Sequence, residues 1–190
     1  MHETTQSVQI GSWTAELPVI PISDTRAITL LMTIDHGVRF IETVGAELAE
    51  RFRDDRIDIV ATAATLGIPL AVEVSRALGL DDYLVLQKSR KVHLKDALRA
   101  TLTSITSHGK QELMLDRARL DAVRGRRVLF VDDVISTGSS AVAALDLLHS
   151  AGGDVVGAGF LLQEEDAGAD EVQARGVRLV TLGRISLREL

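Results

Sequence analysis

Residues 128–131, Val-Leu-Phe-Val, form an unbroken apolar run. A strand with one face in water alternates apolar and polar residues. An unbroken run marks a strand covered on both faces, as in a parallel sheet. The run stops at two adjacent carboxylates, Asp132 and Asp133. Val134 and Ile135 follow, then Ser136, Thr137, Gly138, Ser139 and Ser140, and then a helical pattern over 141–151.

Each part of this stretch has a chemical use. Open α/β sheets bind ligands at the carboxyl ends of their strands. Backbone N–H groups and hydroxyls at a helix start suit a phosphate, and the helix dipole favours its charge. Gly138 lets the chain approach a ligand closely. Adjacent carboxylates accept from vicinal hydroxyls or hold a hydrated divalent cation. Phosphate, diol and cation within one turn point to a phosphorylated sugar. An Asp-Asp pair after a strand also occurs in receiver domains, and Ser and Thr are ordinary helix caps.

The rest of the chain predicts alternating strands and helices. Residues 13–21, with Pro18 and Pro21, read as extended. Strands are expected over 28–34, 57–61, 83–86, 155–162 and 177–182, and helices over 37–52 and 68–78. Residues 102–107 and 111–115 flank Ser107-His108-Gly109-Lys110, a hairpin pattern. This rhythm predicts an α/β fold with a parallel doubly wound sheet. The excursion between Tyr83 and Val128 interrupts it, and insertions of that size are functional more often than structural.

Three further segments carry candidate site residues. Thr62 to Gly67 is a turn of small residues at the end of an expected strand, so the backbone N–H groups of Ala63, Ala64 and Thr65 can face an anion. Lys88, Arg90 and Lys91 follow the strand at 83–86 and can neutralise a polyanion. Gln163, Glu164, Glu165 and Asp166 end the strand at 155–162, where Glu164 can accept from a ring N–H or an exocyclic amine.

Composition narrows the classes. The 190 residues are 46% hydrophobic and 25% charged, an ordinary balance for one globular domain. A net charge of -6 argues against non-specific nucleic-acid binding. No cysteine is present, which excludes disulfides and thiolate metal sites and suits a cytoplasmic location. No apolar run reaches the ~20 residues needed to cross a membrane.

Residues 128–140 closely resemble the phosphoribosyl-diphosphate (PRPP) binding motif of type I phosphoribosyltransferases, most like the adenine and xanthine types. The resemblance extends in order and spacing over about 13–182. It implies the type I phosphoribosyltransferase fold, a parallel doubly wound sheet with a small hood over 11–35 and a mobile loop or hairpin over 88–116. Residues 1–10 are expected as a flexible tail and 11–190 as one domain.

The resemblance also implies roles. Ser136, Thr137, Gly138, Ser139 and Ser140 would hold the 5′-phosphate of PRPP. Asp132 and Asp133 would act as the catalytic carboxylates, holding the ribose hydroxyls directly or through Mg2+. Ala63, Ala64 and Thr65 would receive pyrophosphate, in a loop that in relatives includes a non-proline cis peptide, and Lys88 and Lys91 would close over it. Glu164 would contact the base. The implied activity converts PRPP and a nucleobase, adenine-like, into a nucleoside 5′-monophosphate, and relatives are commonly homodimers. Three positions depart from the purine-type pattern. Ala64 and Leu66 stand where an acidic and a basic residue are common, and Gln87 stands where Arg is frequent. A non-catalytic PRPP-sensing regulator on the same fold is the alternative function. A dinucleotide-binding oxidoreductase needs a Gly-rich turn after an early strand, and this chain has none there.

Overall fold

A computed structural model describes residues 5–89, 96–102, 111–186 and 188–189. Among them, five parallel strands form the central sheet: β4 (Ile59–Ala63), β5 (Tyr83–Leu86), β8 (Arg127–Ile135), β9 (Asp154–Gln163) and β10 (Arg178–Arg184). They lie in the order β10-β9-β8-β4-β5. Four helices cover the sheet: α1 (Gly37–Glu50), α2 (Gly67–Ala77), α3 (Ser139–Ser150) and α4 (Asp166–Gln173).

The unbroken apolar run is explained by two cores. Val128 and Phe130 of β8 pack with Ala144 and Leu148 of α3. Leu129 and Val131, pointing the other way, pack with Phe40 and Leu48 of α1 and Leu70 of α2. Successive strand residues face opposite sides, so a strand with helices on both faces has no position left for a polar residue. The same division runs through β4, where Ile59 and Ala61 join the first core and Val60 the second.

A second sheet of four strands has the order β1-β2-β3-β11, from β1 (Thr5–Ile10), β2 (Trp13–Pro21), β3 (Arg26–Thr29) and β11 (Arg188–Glu189). The expected tail over 1–10 is therefore corrected for its described part. Val8 and Ile10 alternate with polar neighbours, are buried, and pair with Ala15 and Trp13. Trp13 also meets Phe40 edge-on at 5.8 Å between ring centroids, tying this sheet to α1. A third, antiparallel pair joins β6 (Leu98–Leu102) to β7 (Gln111–Leu115). Its first strand begins at Leu98, before the expected 102–107, because Leu98 and Ala100 pack on the α3-side core, and 103–107 lie outside the described residues.

Two other boundaries shift, and one helix is new. The strand β8 runs through both carboxylates to Ile135, because Val134 and Ile135 pair with Leu162 and Gln163 of β9. The expected strand over 28–34 shortens to β3, and Thr33–Asp35 form a 3-10 turn instead. Helix α4 is not anticipated by the sequence pattern, since only Gly168, Ala169 and Val172 are buried in an otherwise acidic and polar segment. Among the described residues, no helix is long and apolar enough to cross a membrane.

Candidate active site

Parallel strands all end at the same edge of a sheet, so strand order fixes how their loops line up. Along this edge stand Glu164 after β9, the loop Ser136–Gly138 after β8, Ala64–Leu66 after β4, and Lys88 after β5. Neighbouring strands are about 4.8 Å apart, so segments far apart in sequence form one row.

Asp132 is 7% exposed, and its Oδ1 accepts from the backbone N–H of Asp133 at 3.1 Å. Burial drives the Asp132 pKa well above the usual carboxylate range, and the charge of Asp133 adds to the rise. Lys88, though exposed, opposes both shifts, which places its ammonium within electrostatic reach of the pair. Burial also raises Asp133, against hydrogen bonds from the Asp132 side chain and the Val134 N–H.

Helix α2 starts against this pair. A Cβ on Gly67 would lie 2.0 Å from Thr62 Oγ1 and 2.5 Å from Asp132 Oδ1. Only glycine lets the first turn of α2 come so near the carboxylate, and that approach joins the β4 loop to the β8 carboxylates. In that loop the Ala64–Thr65 peptide is cis. The Ala64 N–H donates to Leu86 O at 2.9 Å, and Thr33 Oγ1 donates to Leu66 O at 2.6 Å.

After β8, Gly138 has φ +80° and turns the chain into α3, whose first residues are Ser139 and Ser140. Thr137 Oγ1 lies 3.1 Å from Ser139 Oγ. Asp132, residues 134–141 and Phe160 line a cavity of about 180 Å³, room for roughly six waters and ample for a phosphate group. The loop is held from behind by α4. A Cβ on Gly168 would fall 2.3 Å from Ser136 O and 2.6 Å from Gly138 N. Sequence reasoning did not single out Gly168, because its partner is brought to it only by the tertiary fold.

Glu164 is half-buried, and its N–H donates to Ile135 O at 2.9 Å, which fixes it beside the cavity wall. Lys91 and Arg90 lie outside the described residues. Asp132 and Asp133 are the only acidic side chains among the sequence-predicted site residues that lie on β8. Among the described residues, no cluster of three or more His, Cys, Asp or Glu side chains could hold a metal ion. Two carboxylates nevertheless suit Mg2+, which keeps waters and takes further oxygens from a phosphorylated substrate.

A family profile described as the phosphoribosyl transferase domain matches residues 33–182. The chain belongs to the phosphoribosyltransferase family. A xanthine phosphoribosyltransferase from an Exiguobacterium species is 32% identical over 152 residues, 78% of this chain and 77% of its own length. Another from Acinetobacter baylyi is 29% identical over 148 residues, 77% of this chain and 76% of its own. Among solved structures, the adenine phosphoribosyltransferase of Rhodothermus marinus superposes with a TM-score of 0.73 at 25% identity, over 89% of this chain and 94% of its own. The Giardia lamblia enzyme complexed with 9-deazaadenine gives 0.74 at 22% identity, over 89% and 93%. This phosphoribosyltransferase thus has the expected fold, with the cis peptide in the loop where the resemblance put one.

Proposed function

We propose that the protein is a purine phosphoribosyltransferase, forming a nucleoside 5′-monophosphate and pyrophosphate from PRPP and a purine base. The observation that carries this reading is the row along the sheet edge. The base candidate, the phosphate loop, the carboxylate pair, the anion loop and Lys88 stand in the order in which base, phosphorylated ribose and pyrophosphate are joined.

In this reading the N–H groups and hydroxyls of residues 136–140 hold the 5′-phosphate at the α3 start, where the dipole favours the charge. Asp132 and Asp133 accept from the ribose hydroxyls and face the positive charge that develops at C1′. The base nitrogen bonds to C1′ as the bond from C1′ to the pyrophosphate oxygen breaks. The Ala64 N–H, expected at the anion, is engaged with Leu86 O, so the rest of the 63–65 loop, the start of α2 and Lys88 hold the departing anion. Mg2+, held by Asp132 and Asp133, would supply charge neutralisation to the pyrophosphate oxygens. We propose that the chain acts as a homodimer.

The test combines transfer and binding. Pyrophosphate release is followed with PRPP, Mg2+ and each of adenine, guanine, hypoxanthine and xanthine, and PRPP binding is followed by calorimetry. Release with at least one base is expected, together with loss of PRPP binding in the Asp132→Asn, Asp133→Asn double variant. No release with any base rules out transfer, and unchanged PRPP affinity in the double variant rules out the site.

A further inference from the structure

Helix α2 follows β4 and begins at the carboxyl edge of the sheet. The N–H groups of its first turn point toward that edge and have no acceptor inside the helix. Few of them are free. Pro69 has no N–H, and the Ile68 N–H donates to Thr65 O at 3.2 Å. Gly67 is left, with no hydrogen bond from its N–H among the described residues. It stands at the site, since a Cβ on it would lie 2.5 Å from Asp132 Oδ1, and Asp132 lines the cavity. The Leu66–Gly67 peptide is trans and planar, so its C=O and N–H point in opposite directions. The Gly67 N–H therefore turns with the carbonyl of Leu66. That carbonyl is held from outside the helix. Thr33, 2% exposed in the 3-10 turn before α1, donates to it from Oγ1 at 2.6 Å. Leu66 is the N-cap of α2 and makes no side-chain cap bond of its own.

We infer that Thr33 is a positioning residue for pyrophosphate: its hydroxyl holds the Leu66–Gly67 peptide so that the Gly67 N–H faces the anion. The inference rests on the purine phosphoribosyltransferase reading above and assigns a residue from outside the β4 loop to the pyrophosphate half of the site. That loop, Ala63 to Leu66, has no charged side chain. An anion there is held by N–H groups, and a hydrogen bond weakens steeply as its donor turns away. A charged side chain can follow a ligand by rotating, but a peptide N–H keeps whatever direction its carbonyl partner gives it. Thr33 supplies that partner from a buried turn packed ahead of α1, so the direction is set before the ligand arrives.

The experiment measures, by calorimetry with Mg2+ present, the binding of pyrophosphate and, separately, of ribose 5-phosphate. It uses the full chain and its Thr33→Val and Thr33→Ser variants. Ribose 5-phosphate carries the phosphate proposed for residues 136–140 but no diphosphate, so it reports on the rest of the site and on folding. Thr33→Val keeps the branched shape and loses the donor. It is expected to weaken pyrophosphate binding by roughly tenfold or more and to leave ribose 5-phosphate affinity unchanged. Thr33→Ser keeps the donor and is expected to bind pyrophosphate as the wild type does. Unchanged pyrophosphate affinity in Thr33→Val, or equal losses for the two ligands, overturns the inference and leaves the function standing. A Thr33→Ser protein as weak as Thr33→Val overturns it too, because the side chain's shape rather than its hydroxyl would then matter. So does a wild-type protein that binds ribose 5-phosphate but not pyrophosphate. A wild-type protein that binds neither overturns the inference together with the function on which it rests.

Discussion

The contact between Gly168 and the phosphate loop sets up a sharp test of how the site is held. An alanine at 168 brings a Cβ 2.3 Å from Ser136 O and 2.6 Å from Gly138 N, where ordinary contact begins near 3.4 Å. Either the loop or the start of α4 must give by about 1 Å to restore van der Waals separation. The receiving atoms are backbone, so no side-chain rotation relieves the clash. Overpacking of this kind costs about 1–3 kcal/mol, which at this chain length lowers Tm by roughly 2–12 °C. The same displacement moves the N–H groups proposed to hold the 5′-phosphate, and a 1 Å misplacement in a binding geometry costs about 100-fold.

Gly168→Ala is measured by thermal unfolding and by calorimetry with PRPP and Mg2+. Gly176→Ala supplies the control. Gly176 has φ +73° with nothing within 4 Å of a built Cβ, so alanine there costs about 1–2 kcal/mol of backbone strain without touching the loop. Both variants are expected to melt earlier, and only Gly168→Ala is expected to lose PRPP affinity. A Gly168→Ala protein with wild-type Tm and PRPP affinity within twofold of wild type would refute the claim that α4 braces the loop.

Two further outcomes are read chiefly in stability. Burial raises the folded pKa of Asp132 above the unfolded value of about 3.9, so the folded state binds the proton more tightly and stability falls as pH rises from about 4 through the raised value. Asp132→Asn removes that cost, so in metal-free buffer its Tm should exceed wild type at pH 7 and converge on it toward pH 4, while transfer is lost; a variant less stable at neutral pH would contradict the burial argument. Ser75, 3% exposed in α2, has a hydroxyl without a hydrogen-bond partner among the described residues. Ser75→Ala should therefore stabilise by about 1 kcal/mol, read as a rise of roughly 2–4 °C in Tm, and a fall in Tm would show that the hydroxyl has a partner.

The legible parts of this fold are those whose signal is local. The double-sided burial of β8 is written in Val128 to Val131, and β5 falls at the expected Tyr83–Leu86. Helix α1 follows from the spacing of Ile41, Val44 and Leu48. Strand β1 escaped because two buried residues in a polar hexamer are a weak pattern until Ala15 and Trp13 supply the pairing. Helix α4 escaped because its stability comes from packing Ala169 and Val172 rather than from an apolar stripe. The close approaches at Gly67 and Gly168 have no sequence signal beyond the glycine itself, since each partner lies on another element.

The departures at Ala64 and Leu66 bear on how the anion would be held. The β4 loop, Ala63 to Leu66, supplies no charged side chain, so its contribution to an anion is limited to backbone N–H groups and the start of α2. Asp132 and Asp133 add negative charge to a site proposed to take a polyphosphate, and Lys88 is the cation that acts on both. Burial is the first cause of the raised Asp132, the charge of Asp133 adds to it, and Lys88 opposes it. In the proposed reading, Mg2+ carried on the substrate's oxygens adds positive charge beside the pair. Because the β4 loop brings no charged side chain and burial raises both carboxylates, the proposed Mg2+ would favour ionisation of the pair as it neutralises the anion that the loop's N–H groups face.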